Sequence, residues 1–517
     1  MGQLTTNMTG PSKAMALGSA VTADTPGVFA IQYNPAGLAR LEGRQFQLNV
    51  LNAYMDIDAD FIAPPDYNIF GIDGLALDKD GNQKDPVANQ HSHTNQLAIY
   101  IPGYGLQGMP PGPGVLPTMG ISIKPPGSKF TFGNAFYIPM AGGYKRQRGD
   151  PGRYMPQSQA MQRVTYLSPT VAYEINDEWS VGAGVQFSHQ AIAVDQWMRA
   201  PNMLLGVAEI LQDAFNCESG NEPLAPFIAL CGGNVGPWDD IGALSLDITE
   251  SLSPTYSLGV MWEPTDWFAW GASYYSHADM KLKGTFELNY TENWSGFWQS
   301  FNGSIIGAIS AAILSLPSGA PREAGNVSSD LTYPQHFKTG ISLKVHPKLT
   351  MNVDVGYYDW STFDALTLKF DRNLEFLGAA KILSPDNATS NTLRMPLGMT
   401  EQWNLGVGLI HHVTPRLDLR LGADMRDSAI PDDQRNIMAP FGDTITWGAG
   451  FGYQWDRDTI LDAHITYMQS IEYIEANGSC NLNCDNLTNI IYNPYAGLDV
   501  KTSLRFASLG FSFQTKF

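Results

Sequence analysis

Apolar and polar residues alternate with a period of two along most of this chain. Leu349, Met351, Val353, Val355 and Tyr357 alternate with Thr350, Asn352, Asp354 and Gly356. Leu417, Leu419, Leu421, Ala423 and Met425 alternate with Asp418, Arg420, Gly422, Asp424 and Arg426, and Trp179, Val181, Ala183, Val185 and Phe187 with Ser180, Gly182, Gly184, Gln186 and Ser188. Side chains two apart share a face of a strand, so each segment has one apolar face and one small or polar face. A soluble sandwich with its apolar faces inward would read the same way. The segments run to about 10–20 residues, however, well beyond the usual five or six and enough to cross a bilayer when tilted. Aromatics also gather near strand ends, as in Trp262, Trp267, Phe268, Trp270, Tyr274 and Tyr275, which matches an interfacial girdle.

The connections decide between the two. Short ones fall at Pro126–Lys129, Asn176–Glu178, Glu263–Asp266, His346–Lys348, Thr414–Arg416 and Trp455–Asp458. Long ones lie between them, at about 60–115, 143–160, 198–250, 290–331, 373–400, 428–441 and 475–501. Six tight turns and seven long loops imply about fourteen strands, with both chain ends on the short-turn side. An even strand number with short periplasmic turns and long outer loops is the pattern of a transmembrane β-barrel. The expected fold is therefore all-β: an antiparallel transmembrane barrel of about fourteen strands over residues 43–517, in the outer membrane of a Gram-negative bacterium. Ala507, Leu509, Phe511 and Phe513 share a face of the final strand, and Phe517 ends it, which resembles the outer-membrane assembly signal.

Composition agrees. Only 16% of residues are charged, against about a quarter in soluble domains, while 11% are aromatic and 51 are glycine. No run of about 20 apolar residues offers a transmembrane helix. A net charge of −19 disfavours nucleic acid or anionic lipid as a polar partner, since both call for basic surface. Met1–Leu17 is too polar for a signal peptide, so the expectation is the mature chain. The four cysteines fall as local pairs, Cys217 with Cys231 and Cys480 with Cys484, as for disulfides of an oxidising compartment. No metal ligand set is expected of them. His91 with His93, and His411 with His412, read as polar loop and turn residues. No catalytic triad, phosphate loop or dinucleotide motif is present, so no enzyme and no cofactor are expected.

Residues 1–42 show no alternation and are rich in Ala, Gly, Ser and Thr. A fourteen-stranded lumen holds water unless something fills it, and a segment starting on the periplasmic side can fill it. This stretch contains Gly18-Ser19-Ala20-Val21-Thr22-Ala23-Asp24 and then Asn34-Pro35-Ala36-Gly37-Leu38-Ala39-Arg40-Leu41. It resembles the N-terminal hatch of the long-chain fatty acid transporter (FadL/TodX) family, whose hatch carries an Asn-Pro-Ala motif. The resemblance continues through Ser257–Trp262 with Lys281–Gly284, through Leu331-Thr332-Tyr333-Pro334 and the Trp360-Ser361-Thr362-Phe363 signature, and through Asp427–Pro431 with Arg435. There Ala429 replaces a proline of the family pattern. Region 60–115 has no family counterpart.

The resemblance implies passive uptake of hydrophobic compounds, long-chain fatty acids or alkane or aromatic hydrocarbons. Ligand would be captured at the surface, held at a hatch-side site and released sideways through a kinked third strand. It implies hatch contacts at Asn34, Pro35 and Ala36. Fatty-acid members carry a basic residue just before the strand that here begins Thr400-Glu401-Gln402-Trp403. Its absence leans toward uncharged hydrocarbons. The residues add their own support: strand 128–142 holds Gly133, Asn134 and Pro139, and glycine and proline weaken a ladder. An opening is expected there, facing Asn34–Ala36, although a proline near an interfacial strand end is the plain alternative. Two outer loops carry helical periodicity: Leu204, Val207, Ala208, Leu211 and Phe215 in 198–250, and Phe297, Phe301, Ile305, Ala308, Ile309 and Ala312 in 290–331. Leu204, Leu211, Phe215, Phe297, Phe301 and Ile305 are the expected walls of a capture groove, unless the two helices simply cover each other. The partners expected are a hydrophobic small molecule, outer-membrane lipid and lipopolysaccharide, with the barrel monomeric. The competing class is a water-filled porin or a barrel-borne surface adhesin.

Overall fold

The computed structural model describes residues 9–517 apart from 66, 72–74, 79, 111, 218–221, 223, 225, 315 and 486–491. The first eight residues of the expected hatch thus lie outside the described residues. Fourteen antiparallel strands close into one barrel. They are β1 (Gly43–Ile62), β2 (Gly114–Lys124), β3 (Phe130–Lys145), β4 (Ser158–Leu167 and Thr170–Glu174), β5 (Trp179–Met198), β6 (Gly242–Thr265) and β7 (Phe268–Tyr275 and Ala278–Tyr290). The second half comprises β8 (Arg322–Tyr333 and His336–His346), β9 (Leu349–Tyr358 and Ala365–Phe370), β10 (Thr392–Pro396 and Gln402–Thr414), β11 (Leu417–Arg426), β12 (Thr444–Gln454), β13 (Thr459–Ile474) and β14 (Asp499–Lys516). The barrel closes where β1 pairs with β14, in register from Gln45–Lys516 to Ile62–Asp499. Closure leaves no edge strand unpaired in the bilayer. Pro169 and Pro334 sit in the breaks of β4 and β8, where a residue without an N–H cannot continue the ladder.

The faces are inverted relative to a soluble protein. Leu405, Leu409, Leu421, Trp447, Ile465 and Phe511 are exposed on the outside, as a lipid-facing wall requires. Between them, Asn404, Arg420, Asp424, Asp462, His464 and Ser508 turn inward and are buried. Some of them pair there: Asn404 Nδ2 donates to Asp424 Oδ2 at 2.8 Å, and Arg420 pairs with Asp462. Trp179 stacks on Trp262 with ring centroids 5.6 Å apart, and Trp262 meets Phe268 edge-on, building the girdle beside the short turns. Tyr275 does not join it; it is buried on the lumenal side.

Outside the membrane the loops form a lid. Tyr67, Ile69, Val87, Trp238, Leu482 and Tyr495 pack in one buried cluster. At its centre Arg199 is fully buried and paired with both carboxylate oxygens of Asp85, at 2.5 and 3.1 Å. Burial opposes the guanidinium charge, but Asp85 beside it raises its pKa above the ordinary value. Region 60–115 thus contributes to this lid. It also supplies Gln90–Thr94, which extends the sheet along the top of β1, and a hairpin of Gln96–Ile101 and Gly105–Gly108. The hairpin lies against the outer wall, where the backbone of Tyr100 exchanges hydrogen bonds with the Gln162 amide.

Among the described residues α-helices occupy three outer loops rather than the two expected. They are α1 (Met203–Phe215), α2 (Glu292–Gly303), α3 (Ile305–Leu314) and a short one at Glu375–Leu383. The single helical run expected through Phe297–Ala312 is in fact two helices bent by 103°. Ser304 makes the break: its Oγ donates to Phe301 O and accepts from Gly307 N, so it ends one helix and caps the next.

Candidate functional site

Residues 9–42 run inside the barrel as short helical turns, and Ala14, Leu17, Val21, Val28, Phe29, Ile31 and Leu38 are fully buried there. Asn34 anchors the segment. Its Nδ2 donates to Thr22 O at 2.9 Å and to Val260 O of β6 at 3.1 Å, while its Oδ1 accepts from Ala36 N at 3.2 Å. Pro35 follows as the first residue of a 3-10 turn, where its missing N–H costs nothing. Asp354 of β9 accepts from the N–H groups of Val21 and Thr22.

The wall meets this backbone with glycine. A Cβ on Gly182 of β5 would lie 2.4 Å from Pro35 C, and one on Gly259 of β6 would lie 2.1 Å from Asn34 Oδ1. The expected placement of Asn34–Ala36 against the third strand is therefore corrected: these residues dock on β5, β6 and β7. The residues of the N-terminal segment that face Gly133 are Ile31 and Leu38, each 3.0 Å from where its Cβ would be.

Beside the segment is a small chamber lined by Gln32, Tyr137, Pro139, Arg163, Tyr333 and His336, among others. His336 is stacked between Tyr275 and Tyr358, with centroids 4.7 and 5.0 Å away. Arg163 of β4 is fully buried; it donates to Ser253 Oγ and Ser253 O, both at 2.9 Å, and lies over the Tyr333 ring. Among the described residues no carboxylate pairs with it. Both amide atoms of Gln32 are likewise buried without a hydrogen-bond partner. Sequence reasoning looked for a buried cation before Thr400 and missed Arg163. Met161 and Gln162 break the alternation before it, so its inward direction could be read only from the Val164–Thr165–Tyr166 alternation that follows.

The third strand has interrupted pairing on both sides. Toward β2 the ladder runs from Ile123–Phe132 to Met119–Phe136 and stops, although β2 continues along β1 to Gly114. Pro117 and Pro139 fall beyond that stop, and neither can donate to a ladder. Toward β4, β3 pairs at Phe130–Gly133, again at Tyr137, and regularly only from Met140 on, with a bulge between Tyr137 and Met140. Ser168 bridges the seam by bonding both N and O of Ala135, and its own N–H donates to Asn134 Oδ1. Gly133 thus backs onto the N-terminal segment, Asn134 closes the β3–β4 seam and Pro139 lines the chamber.

The six residues expected to wall a capture groove do not share one environment. Phe297 is buried, and Phe301 and Phe215 pack with it against a second buried cluster that includes Leu205, Leu230 and Trp294, whereas Leu204, Leu211 and Ile305 are exposed. Further apolar residues are exposed on α3, where Ile306, Ile309 and Ile313 join Ile305, and Ile313 is 74% exposed. Both expected disulfides, Cys217–Cys231 and Cys480–Cys484, are formed. His91 and His93 lie not in a loop but in the Gln90–Thr94 strand. The shallow groove among Leu409, Leu421, Trp447 and Ile465 is on the lipid-facing wall.

Comparison with known proteins agrees with this architecture. The chain is 22% identical over 315 residues to the long-chain fatty acid transport protein of Escherichia coli O6:H1 (strain CFT073), covering 60% of this chain and 61% of that protein. It is similarly 22% identical over 313 residues to the protein of that name from Salmonella typhi, covering 60% of each. The chain therefore spans about three fifths of the length of these relatives. A Pseudomonas aeruginosa FadL homologue superposes with a TM-score of 0.66 at 19% identity, over 99% of both chains. The Pseudomonas putida toluene transporter TodX does so with a TM-score of 0.57 at 14% identity, over 100% of both. The sequence profile described as outer membrane protein transport protein (OMPP1/FadL/TodX) matches residues 3–517. With that match running almost end to end, the chain belongs to this family of outer-membrane β-barrels that transport hydrophobic compounds.

Proposed function

We propose that this barrel takes up long-chain fatty acids, with the carboxylate received by Arg163 in the hatch-side chamber and the chain released sideways between β2 and β3. The observation that carries the reading is Arg163: a buried guanidinium with no carboxylate partner among the described residues. An unpaired buried charge is costly, and a ligand carboxylate satisfies it with bidentate geometry. Gln32, whose amide lacks a partner, stands in the same chamber to complete the head-group contacts. This reverses the lean toward uncharged hydrocarbons drawn from the missing basic residue before Thr400. The curated relatives named above are fatty acid transport proteins. The filled lumen and the apolar surface of α3 also favour this class over a water-filled porin or an adhesin.

The test compares oleate with its methyl ester. A charged hydrogen bond contributes about 1.5–3 kcal/mol, so oleate should bind about 10–150-fold more tightly than the ester. Arg163→Gln should abolish that preference while the ester binds as before. Equal preference in the variant and the parent would remove Arg163 from head-group recognition. Liposomes carrying the barrel should not swell in sugar solutions; swelling at porin rates would refute the closed-lumen reading.

A further inference from the structure

We propose that Asp56, Asp58 and His93, with His91 beside them, form a surface site for a divalent transition-metal cation of the zinc type. At the top of β1, Met55, Ile57, Ala59 and Phe61 turn inward and are buried. Asp56, Asp58 and Asp60 therefore project from the outer wall, above the lipid-facing band. The added strand Gln90–Thr94 sets His93 opposite Asp58 and His91 opposite Asp60 in the ladder. Region 60–115 thus carries imidazoles to a row of carboxylates whose other side the barrel lines with Arg505 and Lys501.

Hydrogen bonds hold the cluster together, with His91 Nδ1 2.7 Å from Asp60 Oδ1, and the potential ligand atoms lie close enough for one cation to take the place of the imidazole–carboxylate bonds. His93 Nδ1 lies 2.9 Å from Asp58 Oδ1 and 3.6 Å from Asp56 Oδ1. His91 Nε2 lies 3.5 Å from the same Asp58 oxygen. The ligating atoms of Asp56, Asp58 and His93 all fall within 4.8 Å of one another. Metal–ligand bonds of about 2.0–2.2 Å in a tetrahedron put neighbouring ligand atoms roughly 3.4 Å apart, inside this range. Asp56 Oδ1 supplies an independent sign. It is withdrawn from solvent and makes no hydrogen bond, which is expensive for a carboxylate oxygen unless a cation faces it. Arg505 holds Asp58 Oδ2 at 2.6 Å, leaving Oδ1 toward the imidazoles, as an outer-shell partner does.

Charge and donor type narrow the ion. Three carboxylates face this patch against one close guanidinium, with Lys501 in register beside Asp60. An imidazole nitrogen with carboxylate oxygens, and a second imidazole beside them, favours Zn²⁺, Co²⁺, Ni²⁺ or Cu²⁺ over the all-oxygen preference of Ca²⁺ and Mg²⁺. The half-exposed histidines leave the outward side of the site open to a water or to an oxygen of the lipopolysaccharide head group.

The experiment uses the untagged full-length barrel in detergent, stripped with EDTA and titrated with Zn²⁺, with Co²⁺ absorption as the second readout. One Zn²⁺ per barrel is expected, together with a low-symmetry Co²⁺ spectrum. His93→Ala and Asp56→Asn should each weaken binding by no less than the about 10–100-fold seen for loss of an outer-shell partner. His411→Ala, which removes another exposed histidine, should change nothing. Asp56→Asn is isosteric and outward-facing, so it carries the test even if His93→Ala assembles poorly. A parent barrel that takes up no zinc, zinc binding that survives both substitutions, or equal loss in His411→Ala would overturn the proposal.

Discussion

Adding one methyl group at Gly182 tests whether the docked N-terminal segment controls the lumen. A Cβ there would lie 2.4 Å from Pro35 C and 2.5 Å from Ala36 N. Ordinary carbon contacts begin at about 3.5 Å, so the obstructing atoms are backbone and the segment must move by about 1 Å. Such a shift carries the Asn34 Nδ2 bonds, now 2.9 Å to Thr22 O and 3.1 Å to Val260 O, toward or past the limit of hydrogen bonding. Losing the wall bond, or both, costs about 0.5–1.5 kcal/mol each, and more if Asn34 stays buried and unpaired. A loss of roughly 1–3 kcal/mol raises the undocked population about 5–150-fold. The strand ladder is untouched, so Gly182→Ala should remain heat-modifiable on gels. Oleate uptake by cells lacking another transporter should fall, and single-barrel conductance in planar bilayers should rise. Gly303→Ala is the control, since nothing lies within 4 Å of a Cβ there. Unchanged uptake and conductance in Gly182→Ala would refute the idea that close docking of Pro35 on β5 matters.

Gly133→Leu should block uptake while leaving surface binding of oleate intact, because its side chain would run into Ile31 and Leu38; full uptake would sink lateral release past this residue. Asp85→Asn strands the Arg199 charge in the lid, at about 3–5 kcal/mol. Limited proteolysis should then cut region 60–115 without unfolding the barrel, and continued protection would disprove the role of the pair. Mass spectrometry of unreduced protein should detect no free thiol. Replacing Cys217 and Cys231 by serine should loosen their loop, whose closure contributes roughly 3 kcal/mol in the chain-entropy model, with no change in barrel assembly.

The barrel was legible because a two-sided wall leaves a period-two record in every strand, and because proline and polar clusters mark the turns. The pattern failed where the wall is not two-sided. Tyr275 reads as girdle by its neighbours, yet faces the lumen. The apolar positions of 297–312 keep helical spacing across Ser304, so periodicity alone could not reveal a bend made by one hydroxyl. The docking wall of Asn34–Ala36 was also missed, although a signal existed. Gly182 and Gly259 are cross-strand partners, and Gly271 lies on the next strand. Inward glycines at one height on neighbouring strands mark where a second backbone approaches. Gln90–Thr94 could not be placed from sequence, since its partner is the far end of β1 and polar residues such as His91 and His93 carry no apolar face.

The break in β3 matters for energy as well as for shape. A fatty acid released into the periplasm exposes its chain to water at about 0.8 kcal/mol per CH₂, roughly 10 kcal/mol for a dozen or more carbons. A route through the wall avoids that cost only where the ladder is already open, because breaking intact hydrogen bonds in lipid costs several kcal/mol for each group left unsatisfied. Here the β2–β3 ladder ends at Met119–Phe136, and the prolines beyond it, Pro117 and Pro139, have no N–H to leave unsatisfied. Pro139 also lines the chamber that holds Arg163. The same residue therefore borders the chamber and the gap, so under the proposed function a bound chain passes into the bilayer without crossing water and without further loss of strand pairing.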